Sequence, residues 1–215
     1  MLAIVAALLP TFSVAGPQLA AAERVQTVLV VGDSLSAAFG IAPEESWVAL
    51  LGERLRAEGY GYAVVNASIT GDTTTGGLKR LPRALRMHRP AIVIIELGGN
   101  DGLRGTPITV MRSNLARMIE LSQAAGARVV LAGMQFPTNY GAPYTRAFAA
   151  VYPELARKYR TGLVPFFLLG IAEDITLFQA DGIHPVAAAQ KTLVKNVWPP
   201  LKEQLTAIRR KTGRQ

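Results

Sequence analysis

The run Thr27-Val28-Leu29-Val30-Val31 stops abruptly at Gly32-Asp33-Ser34, and an amphipathic stretch follows. Consecutive β-branched and aliphatic residues read as a strand buried on both faces, the habit of a parallel sheet. A parallel sheet needs crossover connections, so this one run already calls for helices covering the sheet. It also says where to look for chemistry. In open α/β sheets ligands collect outside the carboxyl ends of the strands, and Ser34 stands at such an end. On its own, Gly-Asp-Ser reads first as a turn with a helix cap, since all three residues suit that task.

The rest of the chain repeats the alternation. Trp47 to Arg56 carries Trp47, Leu50, Leu51 and Leu55 at helical spacing and closes at Glu58-Gly59. Tyr62 to Ala67 is a second strand, followed by the polar stretch Ile69 to Thr75. Leu78, Leu81 and Leu85 mark a helix that ends before Pro90, where proline cannot continue it. Ala91 to Leu97 is a third strand running into Gly98-Gly99-Asn100-Asp101. Ile108 to Ala125 is a helix closed by Gly126, and Arg128 to Ala132 is a fourth strand. Pro143 to Arg160 is helical, and Leu163 to Phe167 is a short fifth strand. A loop bearing Asp181 and His184 leads to a final helix from Pro185 to Ile208. Strands alternating with helices predict one α/β domain with a parallel sheet over residues 23–215. Three strands end in polar, glycine-bearing stretches (Gly32-Asp33-Ser34, Gly71-Asp72 and Gly98-Gly99-Asn100-Asp101), and in a parallel sheet these share one edge.

The chain contains no cysteine, so disulfides, thiolate metal sites and cysteine nucleophiles are all excluded. Its net charge of +8 concentrates at Lys79, Arg80, Arg83, Arg86, His88 and Arg89, and at Arg209, Arg210, Lys211 and Arg214. Such clusters attract nucleic acid or anionic lipid. Without aromatic interleaving, zinc spacing or a recognition helix, nucleic acid is not the expected partner. The clusters read as solvated faces, with peripheral contact to anionic lipid left open. Residues Met1 to Ala22 are apolar, alanine-rich and uncharged, and Ala20 and Ala22 fit a small-residue cleavage pattern. We expect a signal peptide over 1–22, cleavage near Ala22, and export to the periplasm or beyond. A basic region before the apolar run is missing, which puts the true start upstream or marks it as clipped. Pro10 and Pro17 break the run below the ~20 residues that a membrane span needs.

Serine-based hydrolysis requires a nucleophile, a base that takes its proton, a carboxylate that orients the base, and donors for the oxyanion. Of the two histidines, His88 lies among arginines and reads as surface, whereas His184 lies in Asp181-Gly182-Ile183-His184-Pro185. Asp-x-x-His can set carboxylate and imidazole side by side on one turn, or can be a capped helix start with a packed histidine. Beside a serine at a strand end it supplies the missing pair. Candidate oxyanion donors are the Ser34 N–H, the Gly71 N–H and the Asn100 amide. Taken singly, Gly71 and Asn100 are as well explained as turn residues.

The ordered blocks Gly32-Asp33-Ser34-Leu35, Gly71, Gly98-Gly99-Asn100-Asp101 and Asp181-x-x-His184 resemble the SGNH (GDSL) hydrolases. The stretches Val65 to Thr73 and Glu96 to Gly105 look like the bacterial periplasmic thioesterase/arylesterase/lysophospholipase branch. The resemblance implies a flavodoxin-like three-layer α/β/α sandwich with a five-stranded parallel sheet. It implies that Ser34 attacks the acyl carbon, that His184 is the general base and then acid, and that Asp181 orients it. Ser34, Gly71 and Asn100 would form the oxyanion hole, with no metal and no organic cofactor. The second glycine of G-x-S-x-G is absent, so the α/β-hydrolase nucleophile elbow is not indicated.

For substrate, Thr106-Pro107-Ile108 and Phe136 to Tyr144 follow the third and fourth strands and should flank the catalytic edge. Pro107, Ile108, Phe136 and Tyr140 are therefore candidates for contact with an acyl chain, or for plain loop packing. By resemblance, residues 106–110 form a lid. The expected substrates are small-molecule acyl esters, thioesters or lysophospholipids, and the expected state is a monomer. Three other readings stand beside this one. They are a deacetylase or esterase acting on carbohydrate, a non-catalytic flavodoxin-like binding module, and a phosphatase using Asp33, Asp72, Asp101 and Asp181 as a metal cluster.

Overall fold

The structure is a computed structural model that describes residues 25–213. The expected signal peptide and its cleavage site, and Arg214 of the basic tail, lie outside these residues.

All five aliphatic runs form strands: β1 (Gln26–Gly32), β2 (Tyr62–Asn66), β3 (Ile92–Glu96), β4 (Arg128–Ala132) and β5 (Gly162–Val164). They pair in parallel in the order β2-β1-β3-β4-β5. Central β1 and β3 are paired with Val30 opposite Ile94 and Gly32 opposite Glu96. Val28 to Val31 and Ile92 to Ile95 are entirely buried, which is why their sequences do not alternate. Edge strand β2 is only half-buried, and its composition is correspondingly mixed.

Among the described residues six α-helices complete the architecture: α1 (Trp47–Ala57), α2 (Thr74–His88), α3 (Gly99–Leu103), α4 (Ile108–Ala124), α5 (Ala142–Tyr159) and α6 (Gln190–Thr212). Helix α1 packs beside α6, while α4 packs between α2 and α5, giving the expected three-layer sandwich with the sheet in the middle. Trp47 from α1 meets Phe167 edge-on, with ring centroids 5.5 Å apart. The shift of strand order between β1 and its two neighbours leaves the loops after β1, β2 and β3 converging at one edge.

The elements depart from expectation in four places, each for a local reason. Strand β5 ends at Val164, not Phe167, because Pro165 has no N–H for the ladder. The last helix starts at Gln190. Pro185 does not open it but forms a bridge with Phe178, and Ala187–Ala189 is a 3-10 turn. The Gly98 to Asp101 loop contains a short helix, α3, too brief for periodicity to reveal. Residues 108–110 belong to the first turn of α4, with Pro107 as its N-cap, so the expected lid over 106–110 is not a loop throughout.

Candidate active site

Ser34 lies on the turn that follows β1 and is 8% exposed. The turn is closed by Ser36 and Ala37, whose N–H groups both donate to the Asp33 carbonyl, at 3.2 and 2.9 Å. Ser36 Oγ donates to Glu96 Oε2 at 2.7 Å, and Asn66 Nδ2 donates to the Ser36 carbonyl at 2.7 Å. A Cβ at position 32 would stand 2.6 Å from Ser36 Oγ and 2.8 Å from Glu96 Oε2, so only glycine fits there. The motif glycine is therefore required by packing.

His184 is carried by the loop between β5 and α6. Its Nδ1 lies 2.6 Å from Asp181 Oδ2, and its Nε2 lies 2.8 Å from Ser34 Oγ. A carboxylate facing Nδ1 assigns the proton to that nitrogen, leaving Nε2 to accept the serine hydroxyl. Asp181 Oδ1 accepts the N–H groups of Ile183 and His184, at 2.9 and 3.0 Å, so the aspartate builds the turn that holds its own partner. The His184 side-chain bond and these N–H bonds hold the Asp181 carboxyl down at about 2. Phe39 leans over the imidazole, with ring centroids 4.4 Å apart. Gln179 joins the two loops, its Nε2 donating to the Phe39 carbonyl at 2.8 Å and its N–H to the His184 carbonyl at 2.7 Å.

Two further loops close on this pair. Gly71 has φ +76°, a left-handed conformation that favours glycine. Among the described residues no protein acceptor takes the Ser34 N–H or the Gly71 N–H. Asn100, on α3, donates through Nδ2 to Asp33 Oδ2 at 3.0 Å and to the Asp72 carbonyl at 2.9 Å. Both partners are acceptors, which fixes the amide with its nitrogen inward. Arg104 Nη2 donates to the Gly71 carbonyl at 2.8 Å.

Burial pushes the Asp33 carboxyl up to about 6 despite bonds from the Leu35 N–H and Asn100. Burial, and then the neighbouring Asp33 charge, hold Glu96 well above the usual carboxylate range.

Structure and expectation part at several side chains. Arg80 is not on a solvated face. It reaches inward from α2 to Asp72 Oδ2 at 2.6 Å, to the Gly32 carbonyl at 3.1 Å, and to the Ala67 carbonyl. Lys79, Arg83, Arg86 and Arg89 are exposed, while Arg209 lies over the Tyr60 ring. The aspartates proposed as a metal cluster each have protein partners. Asp72 takes Arg80, and Asp101 takes the N–H and hydroxyl of Thr74 at 2.8 and 2.6 Å. Among the described residues no group of three or more His, Asp or Glu gathers as a ligand set.

Of the apolar candidates, Phe136 packs between Tyr140 and Phe148 at 5.0 and 4.8 Å. Its ring edge lies where a Cβ on Gly102 would fall, at 2.2 Å, which sets this aromatic cluster against α3 beside Asn100. Pro107 and Tyr140 are exposed, and Ile108 is half-buried against the core.

Glu96, Arg80, Phe39 and Gln179 are site residues that sequence reasoning missed. Only Glu96 left a trace, as an acid closing an otherwise aliphatic strand.

The chain is 56% identical over 180 residues to "Esterase TesA" of Pseudomonas aeruginosa, covering 84% of this chain and 90% of that protein. It is 43% identical to an "Arylesterase" of Vibrio mimicus, covering 86% and 93%. It is 41% identical to "Thioesterase 1/protease 1/lysophospholipase L1" of Escherichia coli, covering 79% and 80%. A crystal structure of TesA superposes with a TM-score of 0.81 at 55% identity, covering 83% of this chain and 99% of that one. The family model described as "GDSL-like Lipase/Acylhydrolase family" matches residues 30–192. On these grounds, the chain belongs to the GDSL-like lipase/acylhydrolase family and is an ester hydrolase.

Proposed function

We propose that Ser34, His184 and Asp181 hydrolyse carboxylic esters and thioesters of acyl chains through an acyl-enzyme. The 2.8 Å contact from Ser34 Oγ to His184 Nε2, backed by the 2.6 Å contact to Asp181, carries the reading. His184 takes the hydroxyl proton as Ser34 Oγ attacks the acyl carbon. The charge that develops on the acyl oxygen meets the free N–H groups of Ser34 and Gly71, with Asn100 sharing one of its own; each such donor is worth roughly 10²–10³ in rate. His184 then gives its proton to the departing alkoxide or thiolate. Water attacks the acyl-enzyme with the same imidazole as base, and Ser34 is regenerated. Asp181 stays ionised throughout and steadies the imidazolium. No step draws on a metal or organic cofactor.

Apolar side chains around the site favour acyl chains as substrates. Phe39, Ile69, Leu103, Tyr140 and Ile183 are exposed large hydrophobics in the connections that follow the five strands, Leu103 as the last residue of α3. Pro107, Ile108 and Phe136 extend this surface on the α3 side. The relatives named as arylesterase and as thioesterase and lysophospholipase point the same way. The small-residue pattern before Glu23 supports export to the periplasm, with residues 23–215 as one hydrolase domain working as a monomer. Lys79, Arg83, Arg86 and Arg89, exposed on one helix and its cap, give it a face for anionic lipid.

The test is hydrolysis of p-nitrophenyl esters from acetate to palmitate, with lysophosphatidylcholine and palmitoyl-CoA alongside, by the parent and Ser34→Ala. Turnover that rises with chain length and vanishes in Ser34→Ala is expected. Activity on acetate alone would move the assignment to carbohydrate deacetylation.

A further inference from the structure

The hydrolytic mechanism has no task for the two buried acids beneath the nucleophile turn. Asp33 is 2% exposed on the turn that carries Ser34, and Glu96 is entirely buried at the end of β3. Their bonds are directional. Asp33 Oδ1 accepts the Leu35 N–H at 3.0 Å, and Oδ2 accepts Asn100 Nδ2 at 3.0 Å. Glu96 Oε2 accepts Ser36 Oγ at 2.7 Å and, more distantly, the Asp33 N–H at 3.4 Å, while Oε1 is buried with no partner. An ionised carboxyl at position 33 is the group that serves two N–H donors at once. An amide there would set a donor against one of them.

We infer that Asp33 is a positioning residue whose carboxylate holds the Asn100 amide nitrogen toward the oxyanion, with Glu96 and Ser36 anchoring the turn that carries it. The inference rests on the oxyanion role given to Asn100 above. Because the Asn100 N–H toward Asp33 is charge-assisted, the N–H shared with the substrate oxygen is the one toward the neutral Asp72 carbonyl. As the acyl oxygen gains charge it draws that N–H away from Asp72, while Asp33 keeps the amide from turning. The other titratable groups facing Asp33 are Glu96 on β3, Asp72 ahead of α2, His184 on the β5–α6 loop and Tyr152 on α5. Asp33 takes up its proton at about pH 6, and below that its hold on Asn100 weakens.

The experiment is a double-mutant cycle on full-length protein with p-nitrophenyl butyrate, read as kcat and KM from pH 5 to 9. It uses the parent, Asp33→Asn, Asn100→Ala, the double variant and Ser34→Ala. Asp33→Ser runs beside them, so that a fold defect in one Asp33 variant leaves the other to decide. Asp33→Asn should lower kcat roughly 10- to 100-fold with KM nearly unchanged, the mark of an interaction made in the transition state. In the Asn100→Ala background the same change should cost little more. The step in kcat near pH 6 that the parent adds to the acid-side fall common to all active variants should be absent from Asp33→Asn. A loss of equal size in both backgrounds, or one confined to KM, overturns the inference and leaves Asp33 a fold residue. If Ser34→Ala still turns over, the serine reading itself has failed. If Ser34→Ala is inactive while Asp33→Asn is fully active, only the positioning role falls.

Discussion

Ser34 stands on a buried turn whose bonds run across the sheet to Glu96 and Asn66, whereas His184 stands on an exposed loop whose bonds are mostly local. Asp181 is three residues from its imidazole and shapes the turn with its other oxygen. The nucleophile side is thus built by tertiary packing, and the base side by a short, self-contained turn clipped on through Gln179 and the Phe39 ring. A nucleophile must be placed against fixed oxyanion donors, and a dense cross-sheet network does that. A base that takes and returns a proton needs orientation but not immobility.

The contrast can be broken from either side. The largest effect should come from Asp181→Asn, which leaves the loop hydrogen bonds partly intact but removes the charge that steadies the imidazolium. A loss in kcat of roughly 10³–10⁴ with only a small fall in melting temperature is expected from stopped-flow and calorimetry. A melting temperature that fell in step with activity would make the loop less independent than drawn. Arg80→Ala should do the opposite. It strips partners from Asp72 and from the Gly32 and Ala67 carbonyls, costing about 2–3 kcal/mol in urea unfolding.

The two aspartates should also answer pH with opposite signs. Asp33 binds its proton more tightly folded, at about 6, than unfolded, near 3.8. Its contribution to stability therefore falls as pH rises from about 4 to 6. Relative to the parent, Asp33→Asn should become more stable as pH rises across that window. Asp181, held at about 2, contributes stability above 3.8 that is lost as the pH drops toward 2. Urea midpoints at half-unit pH intervals resolve both. Glu96→Gln should be the mildest change, under about 1 kcal/mol, because an amide keeps the side chain's shape and the acceptor that serves Ser36. A cost of several kcal/mol there would show that Glu96 is ionised, contrary to its surroundings.

What the sequence showed and what it hid divide along the same line. Short-range chemistry was legible: the aliphatic strands, the Gly-Asp-Ser end of β1, and the Asp-x-x-His turn whose partners are three residues apart. Contacts that depend on which strands become neighbours were not. Arg80 reads as one more surface cation until β1 and β2 are paired beside it, and then it faces two strand-end carbonyls. Asn100 reads as a turn residue until the turn after β1 brings Asp33 to its amide. Pro185 suggested a helix start, yet the bridge to Phe178 engages it and the helix waits until Gln190. Phe39 gave no signal, because its contact with His184 needs the two ends of the chain brought together.

The most direct measurement is covalent labelling of the full-length protein with an alkyl p-nitrophenyl phosphonate, which traps an attacking hydroxyl, followed by peptide mass mapping. The account predicts stoichiometric release of p-nitrophenol, the phosphonyl mass on the peptide bearing Ser34, and loss of both in Ser34→Ala and in His184→Ala. A label on another residue, or ester turnover that survives Ser34→Ala, would contradict it.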